Sequence, residues 1–277
     1  MSTNLWLSRI WNGLVIPYLL LNLIRIVVNV CTGGWHGWLN LGESVVLILL
    51  GWHSYGTIDG CRELWFVYSL LLVRLINYGL SRLKYKKIAQ AGMLVLCFIL
   101  GGVWGKLDHG ILDGGACQTI LLAYSFFMLG FVFRNKLTIE PRELKPIYVL
   151  AGVAVESIVF YIFSRGNGIP LIFIGRYGYN YFNFCISAIV GIGILMFVCM
   201  LMDYIHIKAI TIVSKGTIVV LALHYYAINW IQTLSMEIFG IKQLDTLLFA
   251  IGILLAFIPL LYLIEKYCPI LVGKKKV

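Results

Sequence analysis

Two ionisable side chains stand out in this sequence because they lie inside long apolar stretches. Glu156 is near the middle of one such stretch, with no basic residue within a helical turn of it. His224 lies deep in another stretch, which also carries three polar side chains, Tyr225, Tyr226 and Asn229. Carboxylates and imidazoles are the usual groups for general acid–base catalysis, and at bilayer depth they normally face a cavity or a partner. Both residues are therefore candidates for chemistry.

Each candidate also has a purely structural interpretation. A neutral histidine that hydrogen-bonds across helices needs no catalytic role. A pair between Glu156 and His224 would satisfy both groups, since both lie near mid-depth in their stretches. Glu156 is harder to explain this way, because an unpaired carboxylate is costly to bury. Arg25 and Arg74 are near the ends of their stretches, and we expect them to extend toward lipid head groups.

The composition indicates the environment of these residues. Of 277 residues, 61% are hydrophobic and only 12% are charged, which is too few to cover a soluble domain. We therefore predict an all-α, polytopic integral membrane bundle that forms a single membrane domain over 1–277. The net charge of +10 would suggest nucleic acid in a soluble protein. Here the basic residues form short runs between apolar stretches, as cytoplasmic loops do, so we expect the lipid bilayer as partner and no nucleic acid.

Eight apolar stretches have the roughly 20 residues that a transmembrane helix needs. A ninth stretch, Leu41–His53, has only 13 residues. It is too short to cross, so we predict that it is re-entrant or interfacial. The eight predicted spans are 10–30, 62–80, 88–104, 116–134, 147–164, 183–203, 210–231 and 246–266.

Basic residues gather on every second connection between these spans. The segments 80–87, 134–145 and 274–276 are rich in lysine and arginine, whereas the intervening loops carry fewer. Because cytoplasmic loops retain Lys and Arg, this alternation predicts that the rich segments and both termini face the cytoplasm. The predicted location is therefore a cell membrane, with these segments on its cytoplasmic side.

Several kinds of site find no support in the sequence. The seven cysteines form no C-x-x-C pair and no ligand spacing with the five histidines, so we predict no metal site and no disulfide framework. The segment 101–107 lacks the spacing of a phosphate-binding loop. Nucleophile elbows and H-E-x-x-H motifs are also missing, and we expect no bound cofactor.

Two polar and aromatic groups lie at the predicted outer ends of spans. Asn180 belongs to the aromatic segment Arg176–Phe182, and Glu63 and Trp65 open the second span. Tyrosine and tryptophan gather at membrane interfaces in any membrane protein, so an interfacial belt is the simpler interpretation. A substrate-binding role at the outer mouth is the alternative.

Five stretches, taken in chain order, resemble acyltransferase family 3. This family comprises membrane O-acyltransferases that acetylate sugars of surface polysaccharides and glycolipids. Each motif is short, and the resemblance rests on the order of the motifs across nearly the whole chain. The stretches are Arg9–Tyr18, Glu63–Val67, Tyr124–Phe131, Tyr177–Gly193 and Ser214–His224.

The resemblance implies a location in the inner membrane of a bacterial cell, an activity and a set of roles. An acyl group, expected to be acetyl, would pass from cytoplasmic acyl-CoA to a hydroxyl of a sugar in a surface glycan or glycolipid. Arg9 and Tyr18 would lie at the donor entrance, as cofactor-type contacts to acyl-CoA, which is a substrate here. The residues on the interior or acceptor side would be Glu63, Trp65, Asn180 and His224.

One part of the family pattern has no counterpart here. Family members have about ten spans, and the first carries a histidine that acts as general base on the acceptor hydroxyl. By the order of motifs, that helix and the next would precede Met1, so the catalytic residue stays unknown. His224 and Glu156 are the candidates, and His53 would serve only if the short segment reaches the cavity. A catalytically inactive family member, or a transporter or flippase of lipid-linked glycans, are the alternatives.

Overall fold

The computed structural model describes residues 3–31, 38–52, 62–106, 116–133, 145–202, 208–239 and 246–273. Within these ranges the regular structure is helical, apart from one isolated bridge between Leu171 and Arg176. The helices are α1 (Thr3–Ile10), α2 (Ile16–Cys31), α3 (Trp38–Leu50), α4 (Trp65–Ser81), α5 (Lys86–Trp104), α6 (Ala116–Phe133), α7 (Pro146–Ser164), α8 (Tyr181–Met202), α9 (Lys208–Lys215), α10 (Thr217–Phe239) and α11 (Thr246–Tyr267).

Six helical segments in the described ranges are long and apolar enough to cross a membrane. They are Thr3–Cys31, Lys86–Trp104, Pro146–Ser164, Tyr181–Met200, Thr217–Glu237 and Phe249–Tyr267. This agrees with the predicted all-α membrane bundle. The two other predicted spans, 62–80 and 116–134, contain the shorter apolar helices Trp65–Ser81 and Thr119–Phe133. The count of eight and the sidedness of the termini therefore stay predictions.

The first segment is one long helix with a widened turn. A π-helical turn, Trp11–Val15, joins α1 to α2, and the Ile16 amide donates to the Trp11 carbonyl oxygen. Pro17 follows immediately. Proline has no amide hydrogen, and its ring crowds the carbonyl four residues earlier, so the regular ladder cannot continue through this point. The segment nevertheless stays helical from Thr3 to Cys31.

The chain divides into two compact units. The first unit combines the two ends of the chain, Met1–Leu71 and Ile207–Val277, and the second is the central run Leu72–His206. The predicted single membrane domain stays a prediction beside this division. The core of the first unit joins buried residues from five helices and one turn, such as Tyr18, Ile48, Leu64, Val219 and Leu261.

The described second unit is built around two helix pairs, α5 with α6 and α7 with α8. One of its buried clusters contains Val73, Cys97, Tyr124 and Met128. Another is aromatic and joins the loop before α8 to helix residues; it includes Leu122, Tyr177, Tyr181, Phe184 and Cys185. This second cluster therefore packs the loop before α8 against helix residues of the same unit.

The predicted short segment, Leu41–His53, overlaps a 13-residue helix, α3, which begins and ends three residues earlier. At 1.5 Å per residue it is about 20 Å long, less than the roughly 30 Å of a hydrocarbon core. It ends at Gly51, whose φ of +66° is left-handed. The Gly51 amide donates to the Ile48 oxygen, and the Trp52 amide donates to the Leu47 oxygen. This is a Schellman ending, which requires a residue tolerant of positive φ. His53 lies outside the described residues.

Candidate functional site

One face of α2 carries a stripe of polar side chains. Tyr18, Asn22, Arg25 and Asn29 follow one another at intervals of four, three and four residues, which places them on the same side of a helix. Tyr18 and Asn22 are 3% and 2% exposed, so this side faces the interior of the first unit. Sequence reasoning gave a site role only to Tyr18. The spacing of the four residues is the signal that would have found the stripe.

Arg25 lies against an aromatic ring on α10. Its guanidinium carbon is 3.7 Å from the centroid of the Tyr226 ring. The Tyr226 hydroxyl in turn donates to the Asn29 Oδ1 at 3.2 Å. The Nε and Nη1 atoms of Arg25 are buried and have no hydrogen-bond partner among the described residues. The expected extension of Arg25 to lipid head groups is therefore not what the structure shows: the guanidinium stacks inside the first unit, where a desolvated cation–π contact is strongest.

Two tyrosines bind the end of the short helix α3. The Tyr18 hydroxyl donates to the Ile48 carbonyl oxygen at 2.7 Å, and the Tyr68 hydroxyl donates to the Leu49 carbonyl oxygen at 2.9 Å. The Ile48 oxygen also accepts from the Gly51 amide, so the Tyr18 hydroxyl is a second donor there. Tyr68 supplies a donor at the next carbonyl, where the partners within the helix run out. Tyr68 also packs on Gly51 so closely that a Cβ at this position would overlap its ring. The carboxyl end of α3 is thus fixed inside the first unit.

Glu63 lies in a turn that packs against α10. The turn Arg62–Leu64 is a 3₁₀ segment, and its Leu64 side chain is fully buried in the first unit's core. Glu63 is half-buried, and its Oε2 atom is buried without a hydrogen-bond partner among the described residues. Trp65 is half-buried beside the Phe66 ring, with centroids 5.9 Å apart. This region therefore holds a buried acceptor atom that no described residue satisfies.

His224 is half-buried on α10 and bonds to its own helix. Its Nδ1 is 2.8 Å from the Leu221 carbonyl oxygen and 3.2 Å from the Val220 carbonyl oxygen. A carbonyl oxygen only accepts, so Nδ1 carries a proton in this arrangement, and in the neutral imidazole the lone pair is then on Nε2. A neutral imidazole in this tautomer has the form of a general base.

The first unit brings together most of the residues that the sequence singled out. Arg9, which is exposed on α1, belongs to this unit together with Tyr18, Glu63, Trp65 and His224. Asn180 and Glu156 belong to the second unit. The proposed pairing of Glu156 with His224 therefore joins residues of different units, and it stays a prediction.

Glu156 borders a cavity of the second unit. The cavity has a volume of about 330 Å³ and is formed by α6, α7 and α8. Glu156 is half-buried, and its Oε2 atom has no hydrogen-bond partner among the described residues. Gly193 on α8 leaves the space for this carboxylate, since a Cβ there would lie 2.5 Å from Oε1. Of the described residues that line the cavity, Glu156 alone is ionisable.

Asn180 has a structural role at the start of α8. Its Oδ1 accepts hydrogen bonds from the amides of Phe182 and Asn183, at 2.9 and 3.3 Å. Asparagine is among the best N-cap residues for this reason. Asn180 is itself exposed, and its side-chain nitrogen makes no hydrogen bond to the described residues. These hydrogen bonds give Asn180 a capping role that needs no substrate. Its exposed side-chain nitrogen can still donate to a ligand.

Asn167 organises the loop before α8 and was missed by the sequence reasoning. It is 5% exposed. Its Nδ2 donates to the backbone carbonyl oxygen of Tyr177, and its Oδ1 accepts from the backbone amide of Asn180 at 2.7 Å. Burial raises the pKa of the Tyr177 phenol well above its ordinary value, so this side chain stays neutral. The Gly-Asn-Gly sequence at 166–168 was the available signal for a turn built on an asparagine.

Metal binding has no candidate site in the described residues, where no group of three or more His, Cys, Asp or Glu side chains is suitably placed. Comparisons with known proteins give no match: no family model matches the sequence, no curated protein matches it, and no solved structure matches its fold. A function must therefore be inferred from the side chains that each of the two units contains.

Proposed function

We propose that this protein is a bacterial membrane O-acyltransferase that moves an acetyl group from acetyl-CoA to a sugar hydroxyl of a surface glycan or glycolipid. The resemblance to acyltransferase family 3 supports this proposal. The main structural support is that Arg9, Tyr18, Glu63 and His224, which are far apart in sequence, belong to one compact unit. Residues with a shared task must come from one region of the fold, whatever their positions in the chain.

The first unit offers groups that suit acyl transfer. In this reaction the acceptor hydroxyl attacks the thioester carbonyl, its proton passes to a base, and the CoA thiolate leaves. The Nε2 lone pair of His224 is suited to take the proton. The buried Nε and Nη1 donors of Arg25 are suited to an oxyanion or a phosphate, since they have no partner among the described residues. Glu63 contributes an acceptor atom for a substrate hydroxyl.

The proposal is tested by transfer of labelled acetyl groups. Purified protein in lipid nanodiscs receives acetyl-CoA labelled in the acetyl group and bacterial surface glycan as acceptor. We expect label in the glycan, and a loss of about 100-fold or more in His224→Gln, the usual worth of a general base. The matched control is Trp230→Phe on the same helix, because Trp230 is 73% exposed. An unlabelled glycan, or full activity of a folded His224→Gln protein, contradicts the proposal.

A second candidate function is transport or flipping of lipid-linked glycans. Glu156 favours it, because a carboxylate with no partner among the described residues borders a cavity within the span Pro146–Ser164. Ionisable groups in such positions commonly mark substrate or proton pathways.

Transport makes different predictions from acyl transfer. Acetyl-CoA should not raise the melting temperature, and glycolipid uptake into proteoliposomes should depend on Glu156. Glu156→Gln should abolish uptake, whereas Glu237→Gln, at an exposed position on α10, should not. Uptake that is equal in Glu156→Gln and the unchanged protein rejects this candidate.

A further inference from the structure

A second cavity of the second unit, of about 380 Å³, lies where α5 ends and α8 begins. The last two turns of α5 form one wall, and residues 179–182 form the other. Gly102 brings the walls together, because a Cβ at this position would lie 2.8 Å from Cδ1 of Tyr181. Phe98 contacts the rings of Tyr181 and Phe182, with centroids 5.3 and 6.3 Å apart. The wall is thus a packed aromatic surface.

The cavity is apolar at one end and polar at the other. Ile99 and Val103 line it within the candidate span Lys86–Trp104, and their side chains are 57% and 53% exposed on the surface of that helix. Lys106 and Asn180 line the other end. From Phe98 to Lys106 the helical rise of 1.5 Å per residue amounts to about 12 Å. The change in polarity therefore follows the axis of α5, from the span toward its end.

Lys106 provides a positive charge at the polar end. It is exposed, and it forms no ion pair with the described residues. Asp108 lies outside the described residues. Lys106 follows Trp104, the last residue of the span, so it is placed at the height of lipid head groups. The Asn180 side-chain nitrogen adds a neutral donor, because its Oδ1 is occupied by the α8 amides.

We infer that this cavity binds an anionic amphiphile, with a phosphate at Lys106 and Asn180 and an apolar chain along Ile99 and Val103. Lysine is a common phosphate ligand, and the charge of Lys106 matches a head group at this height. The aromatic wall supplies apolar contact area next to the polar end, which is the arrangement of most ligand sites. The inference concerns binding alone and does not depend on the proposed acyl transfer.

Binding of a fluorescent phosphatidic acid to the detergent-purified protein tests this inference. A diacylglycerol with the same chains serves as the probe without phosphate. We expect phosphatidic acid to bind about tenfold more tightly than diacylglycerol, as loss of one charge-assisted contact predicts. The difference should shrink in high salt, because Lys106 is exposed to solvent.

The variants separate the site from general lipid adhesion. Lys106→Gln should weaken phosphatidic acid binding about tenfold, and Lys106→Arg should keep it, because the charge remains. Lys84→Gln, at an exposed position of the same unit, should bind as the unchanged protein does. Equal binding of both lipids, tight binding by a folded Lys106→Gln protein, or displacement by an equal concentration of inorganic phosphate would each overturn the inference.

Discussion

The Tyr18 hydroxyl donates a 2.7 Å hydrogen bond to the carbonyl oxygen of Ile48, thirty residues later in the chain. This bond ties a membrane-spanning helix to the carboxyl end of the short helix α3. Tyr68 does the same from α4, at the neighbouring carbonyl of Leu49. The two hydroxyls therefore add donors at the carboxyl end of this 13-residue helix, beside the Gly51 and Trp52 amides of its Schellman ending.

Removing either hydroxyl should destabilise the first unit. We expect Tyr18→Phe and Tyr68→Phe each to lower the free energy of unfolding by about 1 kcal/mol, the usual net value of one hydrogen bond. Thermal unfolding in detergent measures this. Tyr262→Phe is the matched control, since Tyr262 is 59% exposed in the same unit. If all three variants unfold like the unchanged protein, these hydroxyls do not hold α3.

Replacing Arg25 by methionine should cost function more than stability. The contact with Tyr226 is worth about 2 kcal/mol when desolvated, but the variant no longer buries Nε and Nη1 without partners, which offsets about 1–3 kcal/mol. We therefore expect Arg25→Met to unfold within about 1 kcal/mol of the unchanged protein and to lose acetyl transfer. Arg74→Met, at an exposed position, should keep both properties. A large loss of stability in Arg25→Met would assign Arg25 a purely structural role.

The space beside the Gly193 Cα should be occupied by the Glu156 carboxylate. Gly193→Ala places a methyl group 2.5 Å from Oε1, so Glu156 must move, at a cost of about 1–3 kcal/mol. Gly92→Ala on α5 meets no atom within 4 Å and should be neutral or stabilising by up to about 1 kcal/mol. A double-variant cycle with Glu156→Ala measures the coupling. If Gly193→Ala lowers the free energy of unfolding equally in both backgrounds, the carboxylate does not fill the space beside Gly193.

The loop before α8 should depend on Asn167. Asn167→Ala removes the bonds to the Tyr177 oxygen and the Asn180 amide and leaves both groups without this partner. We expect a loss of about 2–3 kcal/mol in the free energy of unfolding. Asn4→Ala, at an exposed position on α1, should change stability little. Protease cleavage within 165–180 provides a local readout, and unchanged cleavage would contradict the prediction.

The sidedness of the protein is testable by cysteine labelling in intact cells. Lys84→Cys and Lys275→Cys should both resist a membrane-impermeant reagent, since the basic segments are predicted to face the cytoplasm. Arg176→Cys, in a loop predicted to face outward, should react. The unchanged protein gives the background from its seven native cysteines. Reaction of positions 84 and 275 from opposite sides would refute the predicted topology.

The helices themselves were largely predictable from the sequence. Apolar stretches of about 20 residues must form helices in lipid, because their backbone groups have no other partner. The short segment near Leu41 was predicted from its length to be re-entrant or interfacial, and its helical structure was not predicted. Length does not decide the count of eight, because α4 is an apolar helix of only 17 residues.

The contacts between helices were not predictable in the same way. Helices that are apolar on all sides give little indication of which face is inside. In α2 the spacing of the polar residues did carry that signal, and the expectation that Arg25 reaches head groups overlooked it, because the guanidinium lies on the Tyr226 ring. The Tyr18 hydroxyl bonds the backbone oxygen of Ile48, and every residue has such an oxygen. The identity of residue 48 therefore does not indicate the contact. Asn167 was missed for a similar reason, since its partners are backbone groups ten and thirteen residues away.

The make-up of the first unit from both ends of the chain has a consequence for biosynthesis. Asn29 reaches the membrane 197 residues before Tyr226, its partner, has been translated. At about 5–20 residues per second this interval lasts roughly 10 to 40 seconds. The central run Leu72–His206 is a complete unit by then, whereas α2 still carries an uncovered polar face. Until α10 is translated, Arg25 therefore lacks the Tyr226 ring on which it stacks in the finished fold.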